Sequence, residues 1–287
     1  MTKAVATKKN SEIMEFDPSM FEADAGRGME NMGQEDFALP FLKVLSGNDP
    51  VLDENENARK GDIYNTVTGA IYKGKDGIRV IPCAYQRRFI QWAPRGSGTG
   101  APVAIYEPGD NRPKTQRSTE DNKDYVVDGN GEYIEETHQH FVILLNPEGG
   151  AETALIAMKS TQLKKSRKWN SMMASRQMQG KNGPFTPPRF SHIYHLKTAQ
   201  EENSKGSWHG WEMSVDGPIT DASLYGRLKG SRTASRLATL LSNIRKMEWA
   251  AIHRSKSSLR RGFGSAAFFL RRGQQCQSRS SRPYSMD

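Results

Sequence analysis

Cysteine is nearly absent from this chain: 287 residues hold only Cys83 and Cys276. A disulfide framework is thereby excluded, and the usage fits a reducing, intracellular setting. No Cys or His pair has finger-like spacing, so no zinc site is expected. Long apolar runs are missing too. None approaches the roughly 18 residues that cross a bilayer, and the opening MTKAVATKKNSEIMEF has no apolar stretch of the kind a secretory signal needs. Catalytic signatures are equally scarce: the chain contains no G-x-x-x-x-G-K-[ST], no H-E-x-x-H and no G-x-S-x-G. The glycine-rich GSGTG at 96–100 lacks the lysine and the following helix of a phosphate loop, and reads as a linker. His138 and His140 are two apart on a strand and share one side of it, but no third or fourth ligand is offered nearby. They read as histidines on a sheet surface. Glu135–Glu136 and Glu201–Glu202 lack the apolar setting that would raise a carboxyl for acid–base work. The expectation is a protein that is not an enzyme and needs no cofactor, metal or membrane.

Acidic residues run out near the end. Of 41 Lys and Arg, 14 lie from Arg227 onward, against only two of the 32 Asp and Glu, Glu248 and Asp287. The formal net charge of +9 therefore belongs to the tail, and the body before it is slightly acidic. Arginine also overtakes lysine in this tail, serine is abundant and no periodicity holds. Such a switch in residue usage is what a reading-frame shift leaves behind. Residues 227–287 are accordingly expected to be an atypical basic, Ser/Arg-rich end, frameshifted or disordered; the rival reading is a genuine basic nucleic-acid tail.

Residues 1–35 are polar and lack sustained periodicity, as a mobile N-terminal arm would. The ordered domain is expected at 36–226. Residues 48–60 read as loop. Between 61 and 94 short apolar runs alternate with the turn signals Thr68-Gly69 and Asp76-Gly77. Residues 107–124 are polar and read as an exposed excursion. Tyr125, Val126 and Val127, then DGNG, then Tyr133 and Ile134, give the clearest hairpin signal. Residues 138–145 and 154–158 are apolar strands, 179–188 is loop, and 190–199 and 207–215 alternate as strands about a hairpin connection. Helices are expected after Ser160 or Thr161, either of which offers an N-cap, and over 221–229. There is no βαβ alternation. The fold class is thus all-β or β-rich α+β, with an inserted amphipathic helix and a second C-terminal helix.

The inserted helix is the centre of the functional reading. At about 100° per residue, Lys164, Lys165, Arg167 and Lys168 gather on one side, Leu163, Ser166, Asn170 and Met173 on the other, and Trp169 falls at the border. Two further clusters interleave cations with rings. Arg87, Arg88, Phe89, Trp92 and Arg95 lie within nine residues, with Arg88 and Trp92 on one strand face and Arg87 on the other. Tyr194, Lys197, Trp208 and Trp211 fall on neighbouring strands. Cations that track phosphates beside rings that stack bases suit single-stranded nucleic acid.

Several runs resemble a family of tailed-phage single-stranded DNA-binding proteins: ALPFLKVLSG (38–47), GDIYNTVTG (61–69), GIRVIPCAYQRRFIQWAPR (77–95), STQLKKSRKW (160–169) and SHIYHLKTAQEENSKGSWHGWEM (191–213). The resemblance implies an OB-like barrel, sequence-tolerant binding of single-stranded DNA in phage replication or recombination, phage replication proteins as partners, and the host-cell cytoplasm as its place. Such proteins commonly end in an acidic tail that recruits partners; this chain ends in a basic one. The rival readings are a virion structural or assembly protein and an inhibitor of a host protein, neither needing nucleic acid.

Overall fold

A computed structural model describes residues 19–229, apart from 23, 34, 35, 95, 98, 99, 148 and 205. The expectations for Arg95, for the first 18 residues and for the basic tail lie outside the described residues. The chain divides into two units, Met1–Phe37 and Ala38–Asp287. In the first, a single helical turn, α1 (Ser19–Glu22), precedes turns held locally by the Arg27–Asp24 ion pair at 2.6 Å and by Gly33 N–H donating to Asp36 Oδ2 at 2.7 Å.

The second unit is built around one long antiparallel ribbon. β4 (Ile78–Trp92) and β8 (Tyr133–Leu145) pair from Arg79↔Leu145 to Trp92↔Tyr133, with a bulge between Pro82 and Ala84. At one end of this ribbon β12 (His192–Asn203) joins β4 and carries β13 (Gly206–Pro218), while β9 (Ala151–Lys159) joins β8. At the other end β5 (Ala104–Tyr106) joins β4, and β7 (Asp124–Val126) joins β8 and carries β6 (Thr115–Arg117). All these pairings are antiparallel. A bulge adds twist at the point where the ribbon changes partners, and the sheet curls strongly.

The architecture is the expected β-rich α+β. The barrel does not close: β13 and β9 end the sheet without bonding to each other. Instead a meander of β1 (Leu42–Val44), β2 (Ile63–Asn65) and β3 (Ile71–Tyr72) stands at the gap. Leu155 N–H of β9 donates to Pro40 O at 2.8 Å, and Thr198 Oγ1 of β12 donates to Gly61 O at 2.5 Å. Leu42 and Ile63 of this meander enter the main core with Val80, Val142, Ile156, Leu196, Trp211 and Met213.

Two segments read as loop carry structure. Residues 48–60 include the short helix α2 (Val51–Glu54), and 179–188 belongs to a hairpin, β10 (Met178–Gly180) with β11 (Gly183–Phe185). Between β9 and β10 lies α3 (Gln162–Ala174), the inserted helix. A 3-10 turn (Arg189–Ser191) and α4 (Ala222–Lys229) follow, covering Ile81 and Ile143 on the other face of the ribbon.

Candidate nucleic-acid interface

α3 forms where the apolar alternation of β9 stops at Met158. Ser160 turns the chain with φ +51°, and Thr161 precedes the helix without a side-chain cap, so the expected capping bond is not made. Its inner line is Ser166, Trp169 and Met173, all buried. Trp169 is fully enclosed, stacked on His140 at 4.7 Å between ring centres and edge-on to Tyr194 at 5.8 Å. The outer line is Lys164, Arg167 and Lys168, all exposed. The first turn holds no acid, and neither does the rest of the helix. Lys164 and Lys168 are four apart, a repulsion that costs about 0.2–0.5 kcal/mol. Cations in the first turn also oppose the helix dipole.

This outer line walls a cleft of about 810 Å³ whose remaining lining is Ser160, Thr161, Leu163, Lys165, Glu201 and Trp208. The tip of the β12–β13 hairpin supplies its floor. Gln162 Oε1 accepts the Trp211 backbone N–H at 2.9 Å, which ties the helix start to the hairpin. Glu201 accepts from the Trp208 indole N–H at 3.1 Å and pairs with Lys165. Gly210 leaves room for this approach: a Cβ there would stand 2.7 Å from Gln162 Nε2 and 3.0 Å from the Glu201 carboxyl, and the ends of those side chains would have to shift.

Beneath α3 runs a buried polar chain. Arg189 Nη2 donates to His140 Nδ1 at 3.1 Å and to Asn170 Oδ1 at 2.9 Å. A guanidinium only donates, so the His140 proton sits on Nε2, which donates to Ser166 Oγ at 2.7 Å. The Ser166 hydroxyl then donates to His138 Nδ1 at 2.7 Å, and His138 Nε2 donates to Glu136 Oε1 at 3.0 Å. Glu136 also holds Arg87 at 2.9 Å and Arg167 at 3.8 Å. The two histidines are therefore not on the sheet surface, as their spacing suggested; α3 covers that face of β8. Burial, with Arg189 and His138 adjacent, pushes the His140 pKa well below the usual histidine value. Ser166, His138 and Glu136 follow the order of a hydrolytic triad, but Ser166 is fully buried and both imidazoles engage its hydroxyl.

Glu136 links the helix to a second patch, of mixed charge. Phe89, next to Arg87 on the same face, carries the Arg112 guanidinium at 3.5 Å from its ring centre. A hollow of about 400 Å³ here is lined by Phe89 and Ile134, by the cations Arg112 and Lys114, and by the acids Asp110, Asp124 and Glu136. Arg112 and Lys114 lie in the polar excursion 107–124, where no periodicity singled them out; only their charge could have.

The expected site residues thus divide. Lys164, Lys165, Arg167, Lys168 and Trp208 meet in one cleft, and Arg87 approaches it through Glu136. Arg88 and Trp92 point to the opposite face, into a largely apolar groove of about 570 Å³ with Phe41, Ile90 and Leu155, where Arg88 pairs with Glu107 at 2.9 Å. Lys197 is exposed on β12 opposite Glu212, outside the cleft lining. Trp169, Tyr194 and Trp211 are 0%, 1% and 3% exposed and offer no face to a base. The expectation that they stack on bases is corrected: each fills the core between α3 and the sheet.

Residues 8–235 match the family model described as Pam3 phage gp34-like protein. The chain belongs to the Pam3 phage gp34-like family. It is thus a protein of a phage family, and that description names no activity. No curated protein and no solved structure matches the chain. No helix among the described residues is long and apolar enough to cross a membrane.

Proposed function

We propose that this member of the Pam3 phage gp34-like family binds single-stranded DNA without strong sequence preference, in phage DNA replication or recombination in the host cytoplasm. The observation that carries this reading is the α3 cleft. Lys164 and Lys168 repel one another on a helix without acids, Lys165 and Arg167 beside them are each paired with one carboxylate, and a partly exposed indole lies alongside. A polyanion with stacking bases relieves that repulsion and uses the indole. Arg87, Arg112 and Lys114 offer further cations over the ribbon, interspersed with Asp110, Asp124 and Glu136, and the curled sheet with its meander serves as an open OB-like half-barrel. Phage replication proteins are the partners this role calls for.

The test is a fluorescence titration with oligo-dT at several salt concentrations. Lys164→Ala, Arg167→Ala and Lys168→Ala together should leave the fold intact, since all three side chains point outward. Affinity should fall, with the salt slope shallower by about 0.7 for each phosphate no longer neutralised. Trp208→Ala should weaken binding by roughly 1–3 kcal/mol and leave that slope unchanged. A triple variant that binds like the parent would reduce α3 to a solvated face.

A further inference from the structure

The basic cleft contains one carboxylate, and it does not belong in a pure phosphate track. Glu201 lies among Lys164, Lys165, Arg167 and Lys168 and remains 23% exposed. There it repels the phosphates that those cations attract. The backbone nevertheless makes room for it: Gly210 leaves the space that a Cβ would take from the carboxyl. Its two described bonds, from Lys165 to Oε1 and from the Trp208 indole to Oε2, engage one lone pair on each oxygen. A carboxylate has about four acceptor sites and no donor, so acceptor capacity is left at the edge of the Trp208 ring.

Bases differ in what they bring to such an acceptor. Cytosine presents its N4 amino group as a donor, whereas thymine presents the O4 acceptor at the same ring position. A base stacked on Trp208 has its rim beside the indole N–H, and that N–H is 3.1 Å from Glu201. An amino group there gains a charge-assisted hydrogen bond; a carbonyl oxygen meets repulsion.

We infer that Glu201 is a base-selecting residue, and that the cleft favours bases carrying an exocyclic amine, cytosine over thymine among the pyrimidines. This rests on the reading of the cleft as a single-stranded DNA site. Selection is confined to the one nucleotide at Trp208; the rest of the strand is held by phosphate contacts that are blind to sequence.

The experiment is a pair of titrations of the full chain, with oligo-dC and oligo-dT of equal length in the same buffer. The two differ at the base edge but not in charge or ring size. Oligo-dC should bind roughly three- to tenfold more tightly, the range one exposed hydrogen bond spans. In Glu201→Gln the amide both accepts and donates, so the ratio should fall to about one, chiefly because oligo-dT binds better. Lys165→Met, which keeps the carboxylate, should weaken both oligonucleotides and preserve the ratio. Equal affinity of the parent for both would overturn the inference while leaving single-stranded DNA binding intact. Binding of neither would overturn the DNA reading and this inference with it. A ratio that survives Glu201→Gln would assign the preference to another residue.

Discussion

Single residues in this chain show how burial decides between two chemistries that the sequence alone leaves open. Trp169 stands at the border of a helical wheel whose other positions are clear. The structure gives it to the core, against His140 and Tyr194. Trp169→Ala should therefore cost roughly 3–5 kcal/mol of stability, while affinity per folded molecule stays that of the parent; thermal unfolding and oligo-dT binding on the same variant check both halves. His140 makes a second prediction, in pH. Its pKa is held well below the ordinary histidine value of 6.5 by burial, Arg189 and His138. Above pH 6.5 both folded and unfolded chains keep this ring neutral, and its full contribution to stability is present. As the pH falls below 6.5 the unfolded chain takes a proton that the folded one refuses, so stability drops toward acid. His192, lowered by burial and by Arg176, acts in the same direction. Chemical denaturation between about pH 7.5 and about 5, above most carboxylate titrations, should show this fall. It should be shallower by up to one proton in His140→Gln, and an identical slope in the two proteins would remove His140 from the account.

At the scale of elements, what the sequence made legible was spacing, and what it hid was which face a neighbour covers. The β-alternation of Arg87 and Arg88 placed them on opposite sides, and the structure sends Arg87 to Glu136 and Arg88 to Glu107. The same alternation put His138 and His140 on one side of a strand, but nothing local said that α3 would lie over that side. The serine at position 166 is a trace of that contact: a small polar residue on the inner line of a helix has a partner waiting, here two imidazoles. The β10–β11 hairpin was hidden for a different reason. Its strands are three residues each, and it is not bonded to the main sheet, so no buried face imposed a hydrophobic alternation on 178–185. Arg112 and Lys114 escaped because a residue reaching across from a long connection leaves no period. The outward cations of α3 were legible because a helix holds its period whether or not anything binds.

At the scale of the whole molecule, charge and fold are segregated. The family match ends at residue 235, and the described fold ends at Lys229. Most of the chain's cationic excess lies beyond both, whereas the cleft lies within them, between α3 and the β12–β13 hairpin. Under the proposed function, two sources of affinity for DNA are therefore separable. A tail rich in arginine would gather phosphates without orienting a base, and would contribute mainly to the salt slope. A cleft with an indole contributes stacking, which releases no counterions. A chain shortened to residue 235 keeps the whole described core and the whole family match, and should thus unfold at the same temperature as the full chain. It should still bind oligo-dT with the same quenching of tryptophan fluorescence at saturation, once the signal of Trp249 is subtracted from that of the full chain. Its affinity should become less sensitive to salt if the tail touches DNA, and stay equally sensitive if the tail does not. In both cases the Lys164, Arg167 and Lys168 substitutions should act on the short chain as they do on the long one. Loss of binding on shortening, with the fold intact, would transfer the DNA contact from the cleft to the tail.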